Sequence, residues 1–179
     1  TMAGLKELRT RIETIKSTEK ITSAMKMVAA ARLRRSQGLI EKCRFYNNNI
    51  LASANRVLFE LRQEEQKKNV RFVYPELMRG SGKAENYLLL VFTSDRGLCG
   101  SYNSNVAREA SKRIEELLGG GKNVKILCIG KKGRDILKRK YAGMIVDTIE
   151  GIARKGAKYY EAVDLGQRVL DMYAKGEFD

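Results

Sequence analysis

Histidine and tryptophan are absent from this 179-residue chain, proline occurs once and cysteine three times. Without histidine, and with Cys43, Cys99 and Cys128 far apart and forming no CxxC pair, zinc sites of the usual ligand sets are excluded. An odd number of scattered cysteines also argues against a disulfide framework, and the free thiols suit a reducing compartment. No run of eighteen apolar residues occurs, so the sequence offers no candidate membrane-spanning helix. The opening Thr1-Met2-Ala3-Gly4 reads as a native initiator methionine behind one leftover residue, with no apolar signal core after it.

The scarcity of proline permits a long helix. From residue 3 to residue 66 apolar side chains recur at alternating steps of three and four: Leu5, Leu8, Ile12, Ile15, then Leu39, Cys43, Tyr46, Ile50, Ala54, Val57, Leu61. That spacing holds one seam on one side of a helix and marks a coiled-coil strand. At a rise of about 1.5 Å per residue the helix is on the order of 95 Å long, more than a small domain is wide. A lone helix gains most of its stability by burying an apolar face on something else. The helical stretches after residue 100 are too short to cover this one. Its partner is therefore expected in another chain, or in polypeptide outside these 179 residues.

Between its apolar ends the seam changes character, passing through Thr18, Thr22, Met25, Ala29, Arg32 and Ser36. Ile21, Met25, Val28 and the run Ala29-Ala30-Ala31 offer a narrow, smooth apolar strip there, where a simple zipper would carry Leu and Ile. Such a surface suits sliding or turning against a third body; an ordinary imperfect coiled coil is the alternative. The chain carries a formal net charge of +14, and residues 2–70, with fifteen Lys and Arg against seven Glu, hold +8 of it. An acidic partner follows from that excess: nucleic acid, anionic lipid or an acidic protein surface. The cluster Arg32, Arg34 and Arg35 favours a contact surface over a merely solvated face.

Residues 69–84 break the pattern with Pro75 and Arg79-Gly80-Ser81-Gly82-Lys83, the composition of a surface connection. Gly82-Lys83 is no Walker motif. The first glycine is replaced by Leu77, Ala84 follows the lysine, and the segment precedes a strand where a P-loop follows one.

Residues 85–179 then alternate. Strands are expected at 87–93, 124–129 and 144–149, and helices at 101–118, 131–141 and 157–174. The apolar run YLLLVFT of the first strand suits a strand covered on both faces. Inward candidates are Val106, Ala110, Ile114, Leu117 and Leu118 on the first of these helices, and Tyr160, Val163, Leu170 and Tyr173 on the last. The order βαβαβα gives an α/β class: a long amino-terminal coiled-coil helix (residues 1–68), a linker (69–84) and a small Rossmann-like parallel-sheet domain (85–179) that reads as truncated.

Ser94-Asp95-Arg96-Gly97-Leu98-Cys99-Gly100-Ser101-Tyr102-Asn103 joins the first strand to its helix, where parallel folds bind phosphates. The dinucleotide fingerprint is incomplete, since only G-x-x-G is present and Gly130-Lys131-Lys132 stands where an acidic residue belongs. A tight turn with a local Asp95–Arg96 ion pair is the structural alternative.

Together, the opening helix with Leu5-Lys6-Glu7-Leu8, the run Lys20-Ile21-Thr22-Ser23-Ala24-Met25-Lys26-Met27-Val28-Ala29-Ala30, and the loop from Ser94 to Asn103 resemble the gamma subunit of F-type ATP synthase, the central rotor shaft. The resemblance implies that the amino-terminal helix pairs with a carboxy-terminal helix absent from these residues. It places Lys20, Ile21, Met25, Lys26, Val28, Arg32, Arg34 and Arg35 against the alpha-beta ring. Ser94, Asp95, Arg96, Gly97, Cys99, Gly100 and Asn103 form a signature loop of structural type. No catalytic residue, cofactor or metal is expected, because ATP chemistry in this family belongs to beta.

The implied partners are the alpha, beta, epsilon and c-ring subunits, without nucleic acid. The implied location is peripheral, at the cytoplasmic face of a bacterial inner membrane. The uncovered seam is expected to make the isolated chain self-associate. The redox switch of chloroplast relatives is not expected, for want of a closely spaced cysteine pair. Two other classes remain as alternatives, a nucleotide-binding Rossmann-type enzyme and a basic nucleic-acid-binding protein.

Overall fold

The computed structural model describes residues 2–74, 76–152 and 158–179. Pro75 and the expected helix start at Ala157 lie outside the described residues. The chain divides into two compact units, Thr1–Phe72 and Val73–Asp179.

The first unit is built on helix α1, Met2–Lys68, 67 residues long and so about 100 Å from end to end. It contains no proline, and ion pairs at helical spacing, Arg56–Glu60 and Glu64–Lys68, support its last turns. Lys67 and Lys68 lie in the final turn, where cations suit the helix dipole. Asn69 then takes a left-handed backbone (φ 51°) and ends the helix, and the Phe72 amide donates to Glu65 Oε1 at 2.7 Å. The seam residues stay open: Leu5, Leu8, Ile12 and Ile15 are each more than half exposed, and Ile50 keeps 46% of its surface in solvent.

In the second unit a short helix, α2 (Glu76–Arg79), precedes β1 (Asn86–Phe92). Then follow α3 (Tyr102–Gly119), β2 (Asn123–Ile129), α4 (Lys131–Tyr141), a 3-10 turn (Ala142–Met144), β3 (Ile145–Ile149) and α5 (Tyr159–Ala174). The strands lie in the order β1-β2-β3, all parallel, with a register shift between Ile126 and Leu127 where β2 meets β3. The predicted three-strand α/β class with its long leading helix is thus observed.

α3 packs on β1 and β2, and α4 on β2 and β3. Their shared core joins Val91, Ala107, Ile114, Leu117, Val124, Ile126, Cys128, Leu137 and Tyr141. Register places Tyr87, Leu89 and Val91 beside Val124, Ile126 and Cys128, so both connecting helices lie on one face of the sheet. This is the arrangement that crossovers of one hand give when strands follow in sequence order. α3 ends where Gly121 takes φ 71° and the Lys122 amide reaches Leu117 O.

The other face carries Leu88, Leu90 and Phe92 of β1, Lys125, Leu127 and Ile129 of β2, and Asp147 of β3. α5 and the residues after it are fastened there by Arg168–Asp147 and Lys125–Glu177. Leu127 and Ile129 are buried, but Leu90 (40%) and Phe92 (49%) are exposed, so β1 is covered on one face rather than on both as its apolar run suggested. A continuous apolar run gives the need for cover without identifying what supplies it.

The expected inward set of α5 also needs correction. Tyr160, Val163 and Leu170 face solvent and Tyr173 is half-buried, whereas Met172 is buried and Leu165 and Val169 are half-buried. Both sides of this helix are apolar, so periodicity alone cannot choose the phase. On α3 the expected Ile114 and Leu117 are buried and Val106 and Ala110 partly so, while Leu118 lies at the exposed rim.

Candidate functional site

The continuity of α1 fixes where its candidate contact residues point. Successive residues turn by about 100°, so Ile21, Met25, Val28, Arg32 and Arg35, spaced by four and three, form one stripe. Lys20 lies about 100° and Lys26 and Arg34 about 140° around the helix from the middle of that stripe, so the last two project from its far side. All eight side chains are exposed, with Ile21 at 60%, Met25 at 58% and Val28 at 54%. The stripe begins apolar and ends cationic, and among the described residues none of its three arginine or lysine neighbours is drawn into an ion pair.

Just before this stripe lies a feature the sequence reading did not single out. Thr10, Thr14, Thr18 and Thr22 stand one turn apart, and each hydroxyl donates to the carbonyl four residues back, at 3.1, 2.9, 2.9 and 2.8 Å. The donors are thereby used along the helix, leaving the methyl groups and oxygen lone pairs outward. Four threonines at a spacing of four were legible; their bonding was not.

The signature loop at the carboxyl end of β1 is held from within. Asn103, on the first turn of α3 and 8% exposed, accepts the Ser94 amide at 2.9 Å and donates to Ser94 Oγ at 2.9 Å and Cys99 Sγ at 3.0 Å. Ser94 Oγ in turn donates to the Arg96 carbonyl, and the Tyr102 hydroxyl donates to Phe92 O at 3.1 Å. Ser94, Cys99 and Asn103 are thus brought together, while Arg96, Gly97 and Gly100 are exposed around them.

Asp95 does not turn to Arg96. Its Oδ1 accepts the Lys131 amide at 3.0 Å, at the start of α4, and its Oδ2 accepts the Gly151 amide at 2.8 Å, after β3. The expected local ion pair is replaced by a tie across the ends of all three strands. The reason is electrostatic: a carboxylate at a helix amino terminus meets unpaired N–H groups and the positive end of the dipole. The place where an external phosphate would meet α4 is filled by the chain's own anion.

Two glycines make that convergence possible. A Cβ on Gly130 (φ 103°) would lie 2.1 Å from Thr93 O, and one on Gly133 would lie 2.7 Å from Thr93 Cγ2 and Oγ1. Thr93 Oγ1 accepts the Gly133 amide at 2.8 Å and lies 3.2 Å from Gly130 O. Sequence reading took Gly130 only as a gap in a dinucleotide fingerprint.

At the tip of the loop Leu98 is fully exposed and takes φ 60°. A left-handed backbone costs a non-glycine residue roughly 1 kcal/mol. A wholly solvated leucine there gains nothing from its own unit, and neither its exposure nor its backbone was visible in the sequence. Among the described residues no group of Cys, Asp or Glu is placed to hold a metal ion, and no helix is long and apolar enough to cross a membrane.

Comparison with known proteins follows the same lines. A protein-family model described as ATP synthase matches residues 4–179. The ATP synthase gamma chain of Sinorhizobium medicae (strain WSM419) is 42% identical over 178 residues, covering 99% of this chain and 59% of its own length. That of Maricaulis maris (strain MCS10) is 43% identical, covering 99% of this chain and 58% of its own. The chain therefore spans a little under three fifths of the curated relatives it matches. A chain of the Tetrahymena thermophila mitochondrial ATP synthase central stalk and c-ring, solved by cryo-EM, is 28% identical with a TM-score of 0.41, over 57% of this chain and 40% of that one.

Proposed function

This chain belongs to the ATP synthase gamma-chain family, and from that premise we propose that it forms part of the rotor shaft that couples proton flow to ATP synthesis and hydrolysis. The observation that carries the reading is α1: about 100 Å of helix whose apolar seam is open from Leu5 to Val57. Such a seam is stable in water only when a second long helix covers it. Residues 1–68 serve as one strand of that shaft, 69–84 as its connection, and 85–179 as its α/β domain.

In this reading the Ile21-Met25-Val28-Arg32-Arg35 stripe runs inside a ring of alpha and beta subunits, and Lys20, Lys26 and Arg34 meet the ring from other sides of the helix. Apolar, weakly featured contacts let the ring change shape around the shaft, and the arginines meet acidic levers of beta. The chain is non-catalytic. It binds no nucleotide or metal of its own, a reading supported at one helix end by the chain's own carboxylate, Asp95, at the amino terminus of α4. The signature loop, Ser94 to Gly100 with Asn103, shapes the carboxyl end of the sheet. Epsilon and the c-ring are its further partners. The assembly is peripheral to the membrane, on the cytoplasmic face in a bacterium, and nucleic acid is not a partner. Alone, the chain self-associates through its seam.

The test is reconstitution. An alpha-beta complex assembled with the complete form of this subunit is expected to couple ATP hydrolysis to proton pumping, and the Arg32→Glu/Arg35→Glu variant to hydrolyse ATP with fewer protons pumped. Equal coupling when the subunit is left out, measured as protons per ATP, would refute the rotor role.

A further inference from the structure

We infer that the furrow between α3 and α4 is a docking surface for an acidic amphipathic segment of another protein, with one apolar side chain seated beside Ile136 and carboxylates meeting Lys132, Arg139 and Arg108. The inference goes beyond the rotor reading, which gives α4 no contact to make.

The charge of α4 exceeds what its own unit uses. Lys131–Tyr141 carries six Lys and Arg against one Asp. Arg134 is paired with Asp135 and Glu150, Lys138 reaches Asp135 at 3.7 Å, and Lys140 is paired with Glu115 of α3. Lys131, Lys132 and Arg139 have no ion-pair partner among the described residues. The two lysines stand in the first turn, which holds no acidic residue, so their charges oppose the positive end of the helix dipole. Cations in a last turn help a helix; in a first turn they cost it stability. The helix itself therefore gives no reason for their position, and an external carboxylate would turn it to advantage.

Helix geometry gathers these charges around an apolar point. As crossovers between parallel strands, α3 and α4 run the same way, and the bonds from Lys140 and Tyr141 to Glu115 set their register. Steps of four put Lys132 and Ile136 on the side of α4 that carries Lys140, and steps of four and seven put Ser111 and Arg108 on the side of α3 that carries Glu115. One turn before the Glu115–Lys140 contact, the half-buried Ser111 lies level with Ile136, which is 40% exposed. A further turn back, the exposed Arg108 lies level with the half-buried Lys132, and the Arg108 side chain is bonded to Asn105 Oδ1 at 3.0 Å and to no carboxylate among the described residues. Arg139, three residues after Ile136, borders the furrow on its outer side. An apolar point opposite a small side chain, rimmed by cations, has the form of an anchor site with a polar border.

Charge selects an acidic occupant, and the shape of the furrow selects its class. An anionic membrane is flat, whereas Ile136 sits in the recess between two helices. Single-stranded nucleic acid is held by exposed aromatic rings on which bases stack, and the one aromatic residue of α4, Tyr141, is buried. A protein segment with carboxylates on either side of an apolar side chain fits both the rim and the recess.

The experiment adds to the 179-residue chain a synthetic helical peptide with leucine on one face and glutamate on the other. Amide hydrogen exchange is read separately in α4 and in α1, because the open seam of α1 can also take an amphipathic helix. Residues 131–141 are expected to exchange more slowly with the peptide bound, less so as salt is added, and not at all more slowly when the peptide's glutamates are replaced by glutamine. Lys132→Glu/Arg139→Glu should raise the peptide concentration that half-protects α4 by about tenfold, and Arg108→Glu, on the other wall, by about threefold, with protection of α1 unchanged. Ile136→Ser should raise it by about fivefold without altering its salt dependence. Protection confined to α1, or equal protection of α4 in every variant, overturns the inference and leaves the rotor reading untouched. Protection of α4 by phosphatidylglycerol vesicles or by a single-stranded oligonucleotide at lower concentration than by the peptide also overturns it, by assigning the surface to another class of partner.

Discussion

The two units of this chain meet the same physical demand in opposite ways. α1 has hydrogen bonds to spare and almost nothing buried, whereas the α/β unit buries Ile114, Ile126, Leu127, Cys128 and Leu137 almost completely. A helix satisfies its backbone by itself and leaves its side chains to a partner; a sheet satisfies neither without its neighbours. The difference teaches where to look for function. In the helix the exposed apolar residues mark contacts still to be made, and in the α/β unit the few exposed or strained residues do.

The largest test of this contrast is truncation of one isoleucine in each unit. Ile114→Ala should cost the α/β unit about 3 kcal/mol, a buried-side-chain cavity, while Ile12→Ala should change the stability of the chain by less than about 0.5 kcal/mol when it is diluted enough to be monomeric. Denaturant unfolding followed separately through each unit measures both. Similar costs would mean that the seam of α1 is already covered in solution.

Gly133→Ala comes next. Alanine in place of a helical glycine ordinarily gains about 1 kcal/mol. Here the new Cβ would meet the Thr93 side chain at 2.7 Å, and a net loss of about 2 kcal/mol is expected from the forced repacking. Combining it with Thr93→Ala should cost less than the sum of the two changes, and strict additivity would show that the close approach is not the cause.

Leu98→Gly should act the other way. Relief of the left-handed leucine at φ 60° is expected to stabilise the α/β unit by up to about 1 kcal/mol, offset in part by the extra freedom of glycine when unfolded. A lower melting temperature would show that the exposed leucine has a contact within the chain after all.

The smallest effect is acid loosening of α5. Asp147 is held below the usual carboxylate range first by the Thr148 amide and then by Arg168, Glu177 by Lys125, and Asp179 by the amides of Asn86 and Glu85. A depressed carboxyl adds stability that is fully present above its unfolded value, near about 4, and is lost as pH falls through its lower folded value. Chemical shifts of α5 amides should therefore move below about pH 4, while the amides of Ala107 and Ala110 on α3, on the opposite face of the sheet, stay in place. Simultaneous loss of both would show that these ties do not act separately from the core.

Legibility in the sequence follows the same division. Helix α1, the three strands and the limits of α4 at Lys131 and Tyr141 could be read because periodicity and glycine punctuation are local signals. The phase of α5 could not, since its two sides are similarly apolar and only the sheet decides between Met172 and Leu170. Within the loop the sequence marks Ser94, Asp95, Arg96, Gly97, Cys99, Gly100 and Asn103 alike and does not show that Ser94, Cys99 and Asn103 bond to one another. It suggests Arg96 as the partner of Asp95, whose bonds instead run to residues 36 and 56 positions away. Non-local backbone donors leave no trace in a one-dimensional pattern.

The threonine series of α1 bears on how that helix bends. A carbonyl shared between an amide and a threonine hydroxyl lets its turn open slightly and tilts the helix at that point. Successive residues at a spacing of four are rotated by about 40°, so the four tilts spread over about 120° and sum to a gradual curve and not to one sharp kink. The stretch from Lys6 to Thr22, which already includes the first stripe residue Ile21, is thus the part of α1 whose axis bends most readily.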